Sequence, residues 1–189
     1  MVKRTQHINI NTEYFITFTC YEWLPLIDEA QSYNAFYKWF EYLNKHGMAM
    51  FPDCYREPNH FHGILHIPEK SSKSINEIVA NGKRFISYDI IKNLKSKKQS
   101  HTIEKLKASV SERDMKKGKK HVVFRNSFDC KELTHLEMLQ MKVDYMHKNP
   151  CQGKWNLAEN YLKYPHSFAA FYELDVQNKW ITNYAEIYC

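Results

Sequence analysis

Residues 48–67 of the chain read MAMFPDCYREPNHFHGILHI. Residues 48–55 and 60–67 are rich in apolar, aromatic and β-branched side chains, which is typical of β-strands. Residues 56–59, Arg-Glu-Pro-Asn, form a short polar connection with the Pro and Asn that turns favour. Strands joined by so short a connection pair antiparallel. The stretch therefore predicts a β-hairpin.

The flanking segments extend this hairpin into a complete fold. Residues 14–20, YFITFTC, predict a first strand, and an apolar pattern at helical spacing predicts a helix from Ser32 to Gly47. Ser74 begins a second helix, which Gly82 weakens enough to allow a break, and residues 121–130 predict a further strand. The order β-α-β-β-α-β, followed by a helix, predicts an α+β fold. Its class is the ferredoxin-like split βαβ arrangement, an antiparallel sheet with helices on one face.

The remaining segments complete a single domain over residues 1–189. Residues 96–120 are polar and rich in Lys, which predicts a mobile basic insertion with at most a short helix near 103–106. Thr134 and Glu137 have the spacing of a capping box and predict the start of a third helix, which ends near Pro150. Residues 155–189 form an aromatic-rich C-terminal tail.

The composition indicates a soluble basic protein that functions in a reducing compartment. The net charge is +6, and clustered Lys suit either a phosphate backbone or a solvated loop. The five Cys are scattered and include no CxxC, which fits the cytoplasm. The first residues have no apolar segment typical of a signal peptide, and no apolar run reaches the roughly 20 residues of a membrane span. We expect a cytoplasmic protein without membrane contact.

Two histidines in the hairpin form the first candidate site. Side chains alternate along a strand, so His60 and His62 share one face while Phe61 points to the other. Two imidazoles on one face can hold one cation, although two ordinary core or surface histidines are common at this spacing. His66 has the same parity, and we interpret it as a structural residue.

The second candidate site is the segment 142–150, which reads KVDYMHKNP. A core-facing stripe at intervals of three and four is formed by Leu136, Leu139, Val143 and Met146. Tyr145 lies on nearly the opposite side of that helix, and Asn149 lies one turn later on the same side. Alternatively, Tyr145 could belong to a second apolar face with Met138 and Met141.

Together these motifs resemble the single-tyrosine HUH transposases, especially the REP-associated tyrosine transposases. The similarity covers most of the chain. It includes PNHFHG at 58–63, FRNSF at 124–128 and DYMHKNP at 144–150. The sequence departs from the family's pattern at the long segment 96–120 and at Glu57, where an apolar residue often precedes the Pro.

The resemblance implies a metal-dependent single-strand DNA endonuclease and strand transferase. Tyr145 would be the nucleophile that forms a 5′-phosphotyrosine, and His60, His62 and Asn149 would hold Mg²⁺ or Mn²⁺. The expected substrate is single-stranded or hairpin DNA, with RNA left open. The candidates for phosphate contacts are Lys83, Arg84, Arg125, Lys142, Lys148 and Lys154. Both a homodimer and a monomer are compatible with the sequence, which does not identify the general base.

Two other functions fit parts of the sequence. A non-catalytic nucleic-acid-binding module on the same fold would explain the charge and the aromatic content without using His60 or Asn149. A small zinc hydrolase built on the histidine pair ranks last, because it lacks a third His or carboxylate at motif spacing and leaves Tyr145 unexplained.

Overall fold

The computed structural model of the protein describes residues 13–148, 151, 159–164, 169–174 and 176, and only the backbone of 51–57, 163, 169, 170 and 172. The strands are β1 (Glu13–Thr19), β2 (Ala49–Glu57), β3 (His60–His66) and β4 (Asp129–Glu132). The helices are α1 (Leu26–Ala30), α2 (Tyr33–Lys45), α3 (Ile75–Ser96), α4 (Ser100–Ala108), α5 (Glu112–Lys116), α6 (Leu136–Lys148) and α7 (Ala169–Leu174). Short 3₁₀ helices cover Tyr21–Trp23 and Tyr161–Lys163.

The strands form one four-stranded sheet in the order β2-β3-β1-β4, and all neighbours are antiparallel. The predicted hairpin is β2–β3, with an irregularity in its register between Phe51 and Tyr55. In the central pair β1–β3, Thr17 lies opposite His62 and Thr19 lies opposite His60. The predicted α+β class with a split βαβ order is confirmed.

One face of the sheet carries the main hydrophobic core. Alternation along β1 directs Tyr14, Ile16 and Phe18 to this face, where they pack with buried residues of α2 and α3. The Phe18 ring lies 4.9 Å from the Phe61 ring of β3 and 6.1 Å from the Trp39 ring of α2. The two crossover helices therefore share one face, as predicted.

The opposite face of the sheet is covered by α6. Phe15 of β1 and Ile64 of β3 form a smaller buried cluster with Leu139, Val143 and Met146 of that helix. Leu136, the first residue of the predicted core stripe, is exposed. The stripe otherwise packs as the sequence predicts, and it brings α6 onto the face that carries His60 and His62.

The break that Gly82 allows does not occur. Helix α3 runs without interruption from Ile75 to Ser96, and its N-terminus is closed by a capping box between Ser74 and Glu77. A Cβ atom at Gly82 would lie 2.3 Å from Cε2 of Trp39. The glycine thus lets the indole pack directly against the helix backbone, and this tertiary contact outweighs the low helix propensity.

Residues 96–120 contain two helices, α4 and α5, where the sequence predicts at most one short helix. Leu106 is fully buried in the main core and anchors α4 to the domain. Ile103 of the same helix also packs against this core, so tertiary contacts stabilise a segment whose polar composition predicts irregular structure. Its mobility stays a prediction.

The strand predicted over residues 121–130 is shorter than expected, since β4 covers only Asp129–Glu132. The backbone of the apolar run before it bonds to α4, to the first 3₁₀ helix and to the end of β1. Val122 N donates to Leu106 O, Val123 O accepts from Tyr21 N, and Arg125 N donates to Thr19 O. These hydrogen bonds pair backbone groups of Val122, Val123 and Arg125 without the regular bonding pattern of a β-strand.

The start of α6 also differs from prediction. The Thr134 hydroxyl bonds with Nδ1 of His135 at 2.8 Å and with Sδ of Met138, and the helix begins at Leu136. The predicted capping box with Glu137 is wrong, because the helix starts one residue later than that spacing requires. Among the described residues, no helix is long and apolar enough to cross a membrane.

Candidate active site

The two histidines of β3 face each other across a narrow gap. Their Nε2 atoms are 3.0 Å apart, and the ring centroids are 4.7 Å apart with nearly perpendicular planes. His60 is 8% exposed and His62 is 7% exposed. The predicted common face is therefore confirmed, and both rings direct the same nitrogen to one point.

The orientation of His60 is fixed by Asn59. Nδ1 of His60 lies 2.7 Å from Oδ1 of Asn59, and Nδ2 of Asn59 donates to the carbonyl of Trp23 at 3.0 Å. Because the amide nitrogen donates to a carbonyl, Oδ1 is the acceptor and Nδ1–H of His60 donates the hydrogen bond. His60 is thus the Nδ1–H tautomer, with its lone pair on Nε2. A hydrogen bond of this kind orients metal-binding histidines.

The orientation of His62 is fixed from the neighbouring strand. The hydroxyl of Thr17 lies 2.5 Å from Nδ1 of His62, which it faces across the β1–β3 register. A hydroxyl can donate or accept. When it accepts from Nδ1–H, both Nε2 lone pairs face each other. When it donates, Nε2–H of His62 can bond to His60. A cation would select the first arrangement.

The spacing and charge state of the pair suit a hexacoordinate cation. Two ligands about 2.1 Å from a metal and at a right angle to each other lie about 3.0 Å apart, which is the distance observed between the Nε2 atoms. Burial lowers the pKa of His60 to about 4 and that of His62 to about 3, and the His60 and Lys142 charges add to the second shift. Both rings are therefore neutral near pH 7, as metal ligands must be.

Tyr145 projects from α6 onto the same site. Its ring centroid is 5.9 Å from the His62 ring and 6.3 Å from the Phe15 ring, in edge contacts. Phe15 in turn stacks on His62 at 5.6 Å. The side chain of Tyr145 is 45% exposed, so the phenol is held at its base and open to solvent. The structure thus brings Tyr145 together with the histidine pair.

The cationic residues of α6 differ in their surroundings. Lys142 Nζ lies 4.5 Å from the Phe15 ring centroid and 5.3 Å from that of Tyr145. Burial and Lys131 lower the pKa of Lys142. At the surface, Nζ of Lys148 lies 3.8 Å from Oδ2 of Asp144. The predicted third metal ligand, Asn149, and the predicted DNA contact Lys154 lie outside the described residues.

The described part of the chain contains no cluster of three or more His, Cys, Asp or Glu side chains that could hold a metal. A site built on His60 and His62 therefore needs further ligands of other types, such as an amide, water or phosphate oxygens. Such a ligand set would make an open metal site, unlike a closed structural zinc site with four protein ligands.

Lys83, Arg84 and Arg125 lie apart from the histidines, in a groove between α3 and the segment that leads into β4. The basic residues of this groove are Lys83, Arg84, Lys95, Lys117, Lys119, Lys120 and Arg125, against two acidic residues, Glu77 and Asp129. The Lys83 ammonium donates to the carbonyls of Arg125 and Ser127 at 2.5 and 3.1 Å, which fixes one wall of the groove. We call this surface the basic groove.

Several site residues were missed by the sequence interpretation. Thr17 and Phe15 reach His62 only through the strand register, which no local pattern specifies. Asn59 directly precedes the histidine pair, and its adjacency was the one available signal. Trp23 reaches His60 from the short 3₁₀ helix after β1, an element that the pattern of apolar residues does not predict. His66 pairs with Glu13 at 2.9 Å, which agrees with its interpretation as structural.

Comparison with known proteins identifies a solved structure that has the same fold. No protein-family model matches the sequence, and no curated protein matches it. A solved structure of the REP-associated tyrosine transposase bound to a REP hairpin aligns with 97% of this chain and 95% of its own, with a TM-score of 0.59 and 14% identity. The two chains share one fold. At this identity the likeness to the REP-associated transposase establishes architecture, and the chemistry depends on the site.

Proposed function

We propose that the protein is a metal-dependent single-strand DNA endonuclease and strand transferase that forms a 5′-phosphotyrosine through Tyr145. The observation that carries the proposal is the pair of Nε2 atoms 3.0 Å apart with the half-exposed Tyr145 ring 5.9 Å from His62. The fold shared with a REP-associated tyrosine transposase supports it.

His60 and His62, with Asn149, would hold Mg²⁺ or Mn²⁺. When bound, such an ion polarises a phosphate oxygen and offsets the negative charge that develops during attack. Asn59 and Thr17 keep the Nε2 lone pairs directed at the ion, so the ligands need little rearrangement. The low pKa values of both histidines prevent protons from competing for these lone pairs near neutral pH.

Tyr145 supplies the nucleophile. An ordinary phenol has a pKa near 10, so its proton must leave as the new bond forms. The phenolic oxygen bonds to phosphorus, and the bond from phosphorus to the 3′-oxygen breaks. The electron pair and a proton end on that oxygen as a 3′-hydroxyl. Attack by a 3′-hydroxyl on the phosphotyrosine reverses the step and joins strands, so no nucleotide cofactor is consumed. Contacts with Phe15 and His62 keep the ring in place throughout.

The substrate would be single-stranded or hairpin DNA. Tyr145 and the histidines need access to one unpaired phosphodiester, while the basic groove offers phosphate contacts remote from the cleavage point. The similar transposase is bound to a REP hairpin, which makes imperfect palindromes with single-stranded flanks the first substrates to test.

The decisive experiment is a covalent-adduct assay with Tyr145→Phe. Labelled hairpin oligonucleotides with single-stranded flanks are incubated with protein and Mn²⁺, and adducts are resolved on denaturing gels. We expect wild-type protein to form a labelled adduct that EDTA abolishes. Tyr145→Phe should form none, because it lacks the attacking oxygen, yet should bind the same DNA within about threefold.

The matched control is Tyr33→Phe, which removes a hydroxyl of α2 that donates to Asp28 and does not line the basic groove. It should form adducts as wild-type protein does. Adducts of normal yield with Tyr145→Phe would exclude Tyr145 as the nucleophile.

The basic groove favours one alternative, a non-catalytic nucleic-acid-binding module. On that hypothesis wild-type protein binds DNA or RNA equally well with Mn²⁺ or EDTA and forms no adduct with any hairpin or single strand tested. This result would overturn the enzymatic proposal.

A further inference from the structure

Trp23 has an unusual backbone conformation beside the histidine pair. Glu22 and Trp23 have φ values of 49° and 59°, two successive left-handed residues in a region that bulky side chains rarely occupy. The Trp23 side chain is 54% exposed, whereas its ring centroid is 6.1 Å from that of His60. A large aromatic side chain is thus held in solvent at the edge of the candidate active site.

Three contacts hold this conformation in place. The Trp23 carbonyl accepts from Nδ2 of Asn59 at 3.0 Å, and the Trp23 amide donates to the Cys20 carbonyl at 3.2 Å. Glu22 forms an ion pair with Lys105 of α4 at 2.8 Å. The amide that orients His60 therefore also fixes Trp23. A residue held in a rare conformation by its surroundings is a recurrent feature of binding and active sites.

Tyr145 and Trp23 contact different members of the histidine pair. The phenol ring of Tyr145 is 5.9 Å from the His62 ring, and the indole is 6.1 Å from the His60 ring. A phosphate bound beside the ion that the two Nε2 atoms would hold would be attacked from the side of His62. In-line displacement places the leaving 3′-oxygen opposite the nucleophile, on the side of His60 and Trp23.

We propose that the indole of Trp23 stacks on the base of the nucleotide that carries this leaving 3′-oxygen, the nucleotide immediately 5′ of the cleaved bond. This inference depends on the proposed function and adds a base-binding position to it. Aromatic side chains stack on all four bases. The Trp23 indole is exposed and extends from a backbone that is already fixed, so only its side-chain rotation would be lost on binding. Trp23 would act as a positioning residue, since it contacts the base and not the reacting atoms.

The position has a consequence for strand joining. After cleavage the 3′-hydroxyl fragment has no covalent bond to the protein, so stacking on Trp23 would keep it near the phosphotyrosine. In the return step the 3′-oxygen bonds to phosphorus, and the phenolic oxygen of Tyr145 leaves and regains a proton. Loss of the indole should therefore reduce rejoining of the strand that carries the 3′-hydroxyl.

A double-mutant cycle tests the inference with the full chain and Mn²⁺. The substrates are one cleavable oligonucleotide with an abasic nucleotide immediately 5′ of the cleaved bond, a second with it immediately 3′, and the unmodified strand. For wild-type protein we expect the 5′ abasic site to slow cleavage roughly 5- to 150-fold, the range that corresponds to one lost base stack. Trp23→Ala should be slow with the normal strand and show no further loss with this abasic strand.

Controls separate stacking from structural damage. Trp23→Phe should recover most of the activity. Phe85→Ala, which removes an exposed aromatic ring of α3 outside the basic groove, should match wild-type protein. Equal sensitivity of wild type and Trp23→Ala to the 5′ abasic site would overturn the inference. So would a wild-type protein that is indifferent to it, a result that needs no variant to fold. Either outcome leaves Tyr145 adducts intact, whereas failure of the proposed function removes them.

Discussion

The two faces of the central sheet are built from the same strands but differ in chemistry. The face under α2 and α3 is an aromatic core, in which Phe61 lies among Phe18, Phe36 and Trp39. The face under α6 carries a smaller apolar cluster, and beside it the buried histidines His60 and His62 of β3. Phe61 and its two histidine neighbours belong to opposite faces.

This difference separates stability from chemistry within a single strand. On the first face, burial of large aromatic side chains stabilises the folded state. On the second, burying polar imidazoles is unfavourable unless they are hydrogen-bonded, and Asn59 and Thr17 provide the partners. The larger core under α2 and α3 can therefore offset the smaller contribution to stability of the face under α6, whose side chains are arranged for ligand binding.

The largest expected effect is on the aromatic face. Phe61→Ala should lower the free energy of unfolding by about 3–5 kcal/mol, since it removes a fully buried ring and leaves a cavity. Urea denaturation followed by circular dichroism would measure it. Tyr88→Ala, at an exposed position of α3, should change the free energy by less than about 0.5 kcal/mol. A loss below about 1 kcal/mol for Phe61→Ala would show that stability does not reside on this face.

The sequence predicts the elements of this comparison better than their contacts. Strand alternation places His60 and His62 on one side and Phe61 on the other, and the helical period places Tyr145 away from the core stripe. These are properties of a single strand or helix. The roles of the three residues stay predictions, although the structure brings their rings together.

What sequence could not predict depends on tertiary pairing. Thr17 reaches His62 because β1 and β3 pair in one particular register, and shifting that register by one residue would turn the hydroxyl away. Gly82 looks like a helix break until Trp39 is seen to occupy the space of its missing side chain. The left-handed pair Glu22–Trp23 contains no glycine that would mark it.

An intermediate effect is expected at the polar face from Thr17→Val. The substitution preserves shape but removes the hydrogen bond to Nδ1 of His62, so the ring loses the partner that fixes its orientation. We expect Mn²⁺ to bind roughly 10- to 100-fold more weakly, as is typical when such partners are removed. Isothermal titration calorimetry would measure the affinity, and Thr17→Ser should restore it.

Thr19→Val, opposite His60, is the control, because His60 is oriented by Asn59 instead. Equal losses at both threonines would argue against a specific role for Thr17.

The smallest effect is expected away from both faces, in the basic groove. Arg84 is exposed on α3 and bonds to Asn81, and Arg125 lines the same groove. If each contacts one phosphate, Arg84→Gln and Arg125→Gln should each weaken DNA binding several-fold at moderate salt. Each should also reduce the slope of log affinity against log salt by about 0.7–0.9. Fluorescence anisotropy at several salt concentrations would measure both quantities.

Arg113→Gln on α5 makes the same change in net charge outside the groove and should leave the slope nearly unchanged. A similar slope change for all three variants would mean that DNA senses only the total charge of the protein, because a specific groove must distinguish residues that line it from residues that do not.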